Sequence, residues 1–182
     1  MDLDHLFYAT DGNFSDLRST HTPGLGYFSS IWQPGKFLFK PPNISSSDSI
    51  FYILLHYFKI FNNNDFAVFL IKNGNQVVHR SFVFPKFFRY PFMKRIDLQI
   101  GNTWTHPEHR SKGLASFAIR QIVDSFKKPG RNFWYVVHKS NLPSIRVIEK
   151  CHFTIVGEGI RSKRFGFRLL GAFLITDRLS SC

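Results

Sequence analysis

The chain has little cysteine, little acid and no long apolar run. Only Cys151 and Cys182 are cysteines among 182 residues, so neither a disulfide framework nor a thiolate metal site can be built, and no metal is expected. No apolar stretch reaches the roughly 20 residues that span a bilayer. The start, MDLDHLFYATDG, places Asp2 and Asp4 where a secretory leader needs cations and an unbroken apolar segment. Neither a transmembrane segment nor export is expected, and a cytoplasmic location follows. Acidic residues number 12 against 24 Lys and Arg. That imbalance calls for an anionic partner without choosing between nucleic acid, a membrane surface and a small phosphorylated ligand.

Phenylalanine is abundant, at 22 residues, in a chain 43% hydrophobic and 20% charged. That composition excludes a disordered chain, and the length suits one domain with one good core. Basic residues gather in HRSFVFPKFFRYPFMKR (79 to 95), KKPGR (127 to 131) and RSKRFGFR (161 to 168), with aromatic residues interleaved in the first and last. Such segments can stack bases and hold phosphates. They can equally form a solvated basic face whose Phe residues turn inward.

Local patterning places the elements. FAVFLIKNGNQVVHRSFVF (66 to 84) sets two β-branched and aromatic stretches around Asn73-Gly74-Asn75, a hairpin signal. DLQIGNTWT (97 to 105) reads as a strand. From 111 to 127 the period changes: Leu114, Phe117, Ala118, Ile122 and Phe126 recur at helical spacing, and Lys127-Lys128-Pro129-Gly130 supplies cations and a stop. NFWYVVHKS (132 to 140) reads as a buried strand, and Asn141 ahead of Pro143 makes an N-cap for a helix through Lys150. FTIVGEGIR and GFRLLGAFLI then form a final hairpin. Upstream, SDSIFYILLHYFKIF (47 to 61) reads as a helix, and the first forty residues as one short helix and loop. The alternation of strand and helix predicts an α/β, mixed α+β, sheet with a parallel crossover.

HRSKGLA (109 to 115) lies between the strand and the longest helix. A helix starting near Lys112 leaves first-turn amides without intrahelical acceptors, and with the helix dipole they form an anion site. Gly113 lets a bulky ligand approach the backbone, Ala115 keeps the next turn low, and Arg110 and Lys112 add charge at the rim. A phosphate or pyrophosphate fits there; so does an ordinary solvated helix start.

The order of these parts resembles the GNAT superfamily of acyl-CoA-dependent N-acyltransferases, over about residues 66 to 175. Thr105-His106-Pro107-Glu108-His109-Arg110-Ser111-Lys112-Gly113-Leu114-Ala115 is similar to the family's cofactor loop, and Asn141, Ser144, Glu149, Lys150 and Phe153 to its later helix. The resemblance implies one domain over 1–182: helices and loops in 1–65, then a core of 66–175. It implies a central twisted mixed sheet with splayed parallel strands and helices on both faces. It also implies acetyl-CoA or another acyl-CoA as co-substrate. The amides of Ser111 to Ala115, with Arg110, would hold its pyrophosphate. The backbone of Thr103, Trp104 and Thr105 would pair with the pantetheine arm, and Asn141 and Ser144 would stand beside it. For Asn141, simple N-capping is the alternative.

Departures from the family pattern matter as much. Gln99 stands where a Glu base is common, Ile148 where a Tyr acid is common, and His152 where a Gly is common. Histidine is among the residues that tolerate positive φ. Asp97, His79 and His138 are the remaining candidates for a base; alternatively the amine needs little help, as an amine of low basicity would, and positioning carries the rate. Direct attack, without an acyl-enzyme, is expected. The favoured substrate is a nucleotide-linked amino sugar in surface polysaccharide biosynthesis, taking an acetyl or short hydroxyacyl group, with Arg161, Lys163, Arg164 and Arg168 on the diphosphate. No stable nucleic-acid complex is then expected, and a homodimer is compatible with the chain. A protein or peptide N-acetyltransferase and a noncatalytic nucleic-acid-binding module are the alternatives.

Overall fold

The computed structural model describes residues 3–13, 24, 26–35, 46–163 and 171–179. In chain order these form β1 (His5–Thr10), β2 (Tyr27–Trp32), α1 (Ser46–Tyr57), β3 (Ala67–Asn73), β4 (Gln76–Pro85) and β5 (Leu98–Thr105). There follow a 3₁₀ turn (Pro107–His109), α2 (Leu114–Phe126), β6 (Phe133–His138), α3 (Leu142–Lys150), β7 (Thr154–Arg161) and β8 (Phe173–Arg178). The strands make one sheet in the order β2, β3, β4, β5, β6, β1, β7, β8. Its strand pairs are antiparallel except β5 with β6.

Both faces are covered, which is why the central strands are apolar without alternation. On one face Leu114, Ala118, Ile119, Ile122, Val123 and Phe126 of α2, with Ile148 of α3, pack on Ile71, Val83, Leu98, Ile100 and Phe133. On the other, Ile53 of α1 and the loop residues Phe61, Phe87, Tyr90 and Met93 cover Val68, Leu70, Phe82 and Phe84. Much of the phenylalanine is spent there: Phe66 stacks on Phe61 and Phe84, and Phe84 on Phe82. Each fully buried ring contributes about 1.5–3 kcal/mol relative to exposure. These two layers pack the middle of the sheet from both sides.

Several expectations hold closely. Gly74, at φ 55°, turns the β3–β4 hairpin, and His152 takes φ 55° directly after α3. Asn141 caps α3, its Oδ1 accepting from the Ser144 amide at 3.3 Å. The end of α1 is sharper than its apolar run suggests. Lys59 takes φ 54°, Ile60 donates to the Leu55 carbonyl and Lys59 to that of His56. This pair of bonds is the Schellman closure, and it stops the helix at Tyr57 although Phe58, Ile60 and Phe61 would continue the pattern.

The N-terminal segment differs most from expectation. Residues 1–65 contain two strands, not helices and loops alone. HLFYAT is β1, inserted antiparallel between β6 and β7 with Phe7 and Tyr8 buried. Its partners lie more than 120 residues away in sequence, so nothing local announces it. β2 forms the sheet edge against β3 and leaves Phe28 and Ile31 exposed. The final hairpin is present, but β8 starts at Phe173 rather than Gly166; residues 164–170 lie outside the described ones. Gly157 and Gly159 let the β8 backbone approach, since a Cβ on either would stand 2.3 Å from the Asp177 carbonyl oxygen or 1.9 Å from that of Leu174.

Candidate functional site

The parallel pair β5–β6 is joined at only two rungs, Leu98 with Phe133 and Gln99 with Trp134. Beyond them the strands part, and the β5 backbone from Ile100 to Thr105 is paired on its β4 side alone. A bulge sharpens the divergence: Asn102 sits at φ 49° where the β4–β5 register slips between Arg80 and Phe82. Backbone groups on the free side have no strand partner and are open to a ligand running alongside.

The opening is a cavity of about 740 Å³. Thr103, Trp104 and Thr105 of β5 form one wall, Tyr135 of β6 lines it, and Asn141, Pro143, Ser144, Arg146, Val147 and Lys150 of α3 and its cap form the other. His109, Arg110, Ser111, Gly113, Leu114, Ala115 and Ser116 close its end. There α2 starts at Leu114, two residues beyond Lys112, because Ser111 and Gly113 have φ of 60° and 74° and are not helical. No side chain caps this helix, and its first intrahelical bond is Phe117 to the Gly113 carbonyl. The Leu114, Ala115 and Ser116 amides therefore have no intrahelical acceptor, at the positive end of the dipole. A Cβ on Gly113 would meet nothing within 4 Å: the space before the amides is open. Arg110, Arg146 and Lys150 add charge, and no carboxylate appears among the described lining residues. This wall can bind a polyanion.

Of the expected cofactor-binding residues, Thr103, Trp104, Thr105, Arg110, Ser111, Gly113, Leu114, Ala115, Asn141 and Ser144 thus converge on one cavity, and Lys112 lies outside its lining. The candidate proton acceptors do not converge. Asp97 is fully buried just ahead of the other end of β5, roughly 20 Å from Trp104 at the rise of an extended strand. It accepts from the Lys94 and Asn132 amides and from Trp134 Nε1. Those bonds lock the entry to β5 and β6. His138 is exposed, hydrogen-bonded to Ser140 Oγ at 2.7 Å and outside the lining. Gln99 is buried at the last joined rung, and its Oε1 has no hydrogen-bond donor. Arg161 lies over the Phe173 ring, and Lys163 is exposed. Neither lines the cavity, and Arg164 and Arg168 lie outside the described residues.

His79 is also fully buried, not facing the cavity. Its Nδ1 is 2.8 Å from Thr105 Oγ1 and its Nε2 3.0 Å from Ser81 Oγ, which lies 3.1 Å from Thr103 Oγ1. Burial pushes its pKa down to about 4, so the ring is neutral at pH 7 and holds the Thr105 hydroxyl of the cavity wall directly and that of Thr103 through Ser81. Tyr135 continues this chain. Burial raises its pKa, and the neighbouring polar groups of Thr103 and Ser144 act in the opposite direction. Its phenol therefore stays protonated on the cavity wall between Thr103 and Ser144. Cys151 is buried against the Ser116 carbonyl, and burial raises its thiol to about 11, leaving no thiolate for nucleophilic chemistry.

Sequence reasoning missed Tyr135, which reads as one more core aromatic of β6. It also missed Arg146 and the place of Lys150, noted only for its likeness to the family's later helix, on the cavity wall; the two are spaced four apart, with Pro143 and Val147 on the same face of α3. That spacing was the available signal.

The model of the acetyltransferase (GNAT) family matches residues 37–153. The chain belongs to that family. No curated protein matches it. Among solved structures, an acetyltransferase of the GNAT family from Colwellia psychrerythraea aligns at TM-score 0.55 and 11% identity, over 85% of this chain and 53% of that one. A tandem GNAT protein from the clavulanic acid biosynthesis pathway gives 0.52 and 12%, over 84% and 49%. A Salmonella typhimurium protein solved with its cofactor acetyl-CoA gives 0.50 and 14%, over 84% and 96%. This chain thus spans about half of the first two. At these identities the likeness is one of fold.

Proposed function

We propose that the domain transfers an acyl group directly from acyl-CoA to a primary amine. The observation that carries this is the uncapped start of α2, flanked by Arg110, Arg146 and Lys150, at the end of a cavity walled by the free side of β5. The pyrophosphate of coenzyme A suits the Leu114, Ala115 and Ser116 amides, and the amide-bearing pantetheine arm suits pairing along Thr103 to Thr105. The thioester then lies toward the fork. The amine nitrogen attacks the thioester carbonyl, the oxyanion is held by β5 amides, and the C–S bond breaks. The amine's proton passes to solvent water, and the departing sulfur gains one from a phenol that solvent then reprotonates. Tyr135, protonated and on the cavity wall, is placed to supply the sulfur's proton. Gln99, buried and outside the cavity lining, takes no proton.

This arrangement suits an amine already neutral at cellular pH, such as an amino group flanked by sugar oxygens. We infer a nucleotide-linked amino sugar of surface polysaccharide biosynthesis, with Arg161, Lys163, Arg164 and Arg168 on its diphosphate. A cavity with no carboxylate among its described lining residues supports this over a cationic protein or peptide amine. The test is calorimetry with acetyl-CoA beside single-stranded RNA, followed by thiol release from acyl-CoAs with a panel of nucleotide-linked amino sugars. Saturable acetyl-CoA binding and thiol release only with the sugars support the reading. Binding of RNA without acetyl-CoA overturns it in favour of a nucleic-acid module, and turnover only with peptides moves the substrate class.

A further inference from the structure

The turn His106-Pro107-Glu108-His109 joins β5 to the anion-binding loop, and acyl transfer uses none of it beyond the place of His109 on the cavity wall. Side chains at i and i+3 of a 3₁₀ turn eclipse. His106, the residue capping this turn, and His109, its last, accordingly face each other with ring centroids 5.7 Å apart. Pro107 at the first position presets the turn. One ligand atom from each of His106, Glu108 and His109 lies within 4.8 Å of the others.

The partners of these side chains point the same way. Nδ1 of His109 is 2.8 Å from the Tyr27 hydroxyl, which leaves Nε2 for an ion; Nδ1 then keeps its hydrogen and donates it to the Tyr27 oxygen, the outer contact that orients metal-bound histidines. Nδ1 of His106 is buried with no hydrogen-bond partner, a costly arrangement unless something is bound beside it. Glu108 is exposed and makes neither an ion pair nor a hydrogen bond among the described residues, in a chain where cations outnumber acids two to one. Two imidazoles and a carboxylate, without thiolate, form a donor set for Zn²⁺ and its first-row neighbours rather than for Mg²⁺ or Ca²⁺, which prefer all-oxygen sites. Ligand atoms of a tetrahedral zinc at 2.0–2.1 Å stand about 3.3 Å apart, so modest rotamer adjustments close the set.

We propose that His106, Glu108 and His109 form a three-ligand site for a divalent transition metal of the zinc class, with its open fourth position toward the cavity that His109 lines. There a water or a cofactor phosphate oxygen completes the tetrahedron. Cysteine counting could not find such a site.

The full-length chain, stripped with a chelator and free of acyl-CoA, is titrated with ZnCl₂ by calorimetry and with Co²⁺ by visible absorption. One Zn²⁺ per chain, a tetrahedral Co²⁺ spectrum and a zinc-dependent rise in Tm are expected. Glu108→Gln and His106→Gln should each weaken zinc by tenfold or more, the scale on which metal sites respond to lost contacts. Because Glu108 is exposed, its variant remains informative should His106→Gln fail to fold. No saturable zinc in the wild type, or unchanged affinity in folded Glu108→Gln, overturns the site. Repeating the titration with acetyl-CoA tests the open position: tighter zinc binding supports it by reciprocal linkage, and unchanged affinity overturns that placement. Acetyl-CoA binding in the presence of chelator is measured separately, so failure of the metal site and failure of the acyl-CoA reading are distinguishable.

Discussion

His79 ties the stability of the cavity wall to pH. Its imidazole is fully buried between Thr105 and Ser81, and its pKa falls from 6.5 to about 4 by desolvation. Between those values the unfolded chain binds a proton that the folded chain refuses. Stability from keeping this ring neutral is therefore complete above about pH 6.5 and falls as the pH drops toward 4, where the folded ring begins to protonate as well. With those two pKa values the loss is about 2 kcal/mol at pH 5 and about 3 kcal/mol at pH 4, a large part of the 5–15 kcal/mol typical of a domain. Urea unfolding of the wild type and of His79→Gln, from pH 7 to pH 4, measures it. The uncharged amide keeps polar contacts to the hydroxyls without titrating, so the wild type should lose about 3 kcal/mol more than the variant over this range. His56, also lowered by burial, contributes in the same direction but is present in both proteins and cancels. Asp4 and Asp65, held below 3.8, lose their contributions at lower pH. Parallel pH profiles for the two proteins would refute the account of His79 as a neutral buried strut.

Three further outcomes follow from the cavity. Gly113→Val should cut acetyl-CoA affinity sharply by calorimetry and lower stability by about 1–2 kcal/mol, because it puts a branched side chain at φ 74° in the space before the α2 amides; unchanged affinity in a folded variant refutes anion binding there. Tyr135→Phe should lower kcat by about 10²-fold or more with the KM for acyl-CoA little changed, if its phenol supplies the thiolate's proton; an equal kcat refutes that role. Cys151→Ser should retain turnover, since the buried thiol stays protonated, and mass spectrometry showing an acylated Cys151 in the wild type would contradict direct transfer.

What the sequence revealed and what it hid divide along the range over which the relevant forces act. The β3–β4 hairpin, α2, α3 and the Asn141 cap are settled by turn chemistry and helical spacing within a few residues, and each was legible. The start of α2 shifted by two residues because Ser111, not only Gly113, takes a left-handed conformation, which favours glycine and is costly for serine. That serine opens the turn in front of the helix amides. β1 was illegible for the opposite reason. Six residues flanked by β6 and β7 gain their stability from pairing and burial contributed by strands near the other end of the chain, so local propensity says little about them.

The site shows the same division. Backbone anion-binding chemistry at 110–115 follows a short pattern, but side-chain chemistry depends on which face of a strand points into the fork, and β6 reads as continuously apolar. Divergence of β5 from β6 after two rungs turns Tyr135 from a core aromatic into a phenol on the cavity wall beside Thr103, whose hydroxyl is tied through Ser81 to His79. Asp97, equally conspicuous in sequence, is drawn to the closed end of the same two strands, where Trp134 and two amides occupy it. The splay therefore sorts polar residues by position along β5 and β6. Asp97 before the fork holds the strands together, and Thr103, Thr105 and Tyr135 beyond it line the cavity, so a hydroxyl moved from one of these positions across the Gln99–Trp134 rung would exchange a chemical role for a structural one.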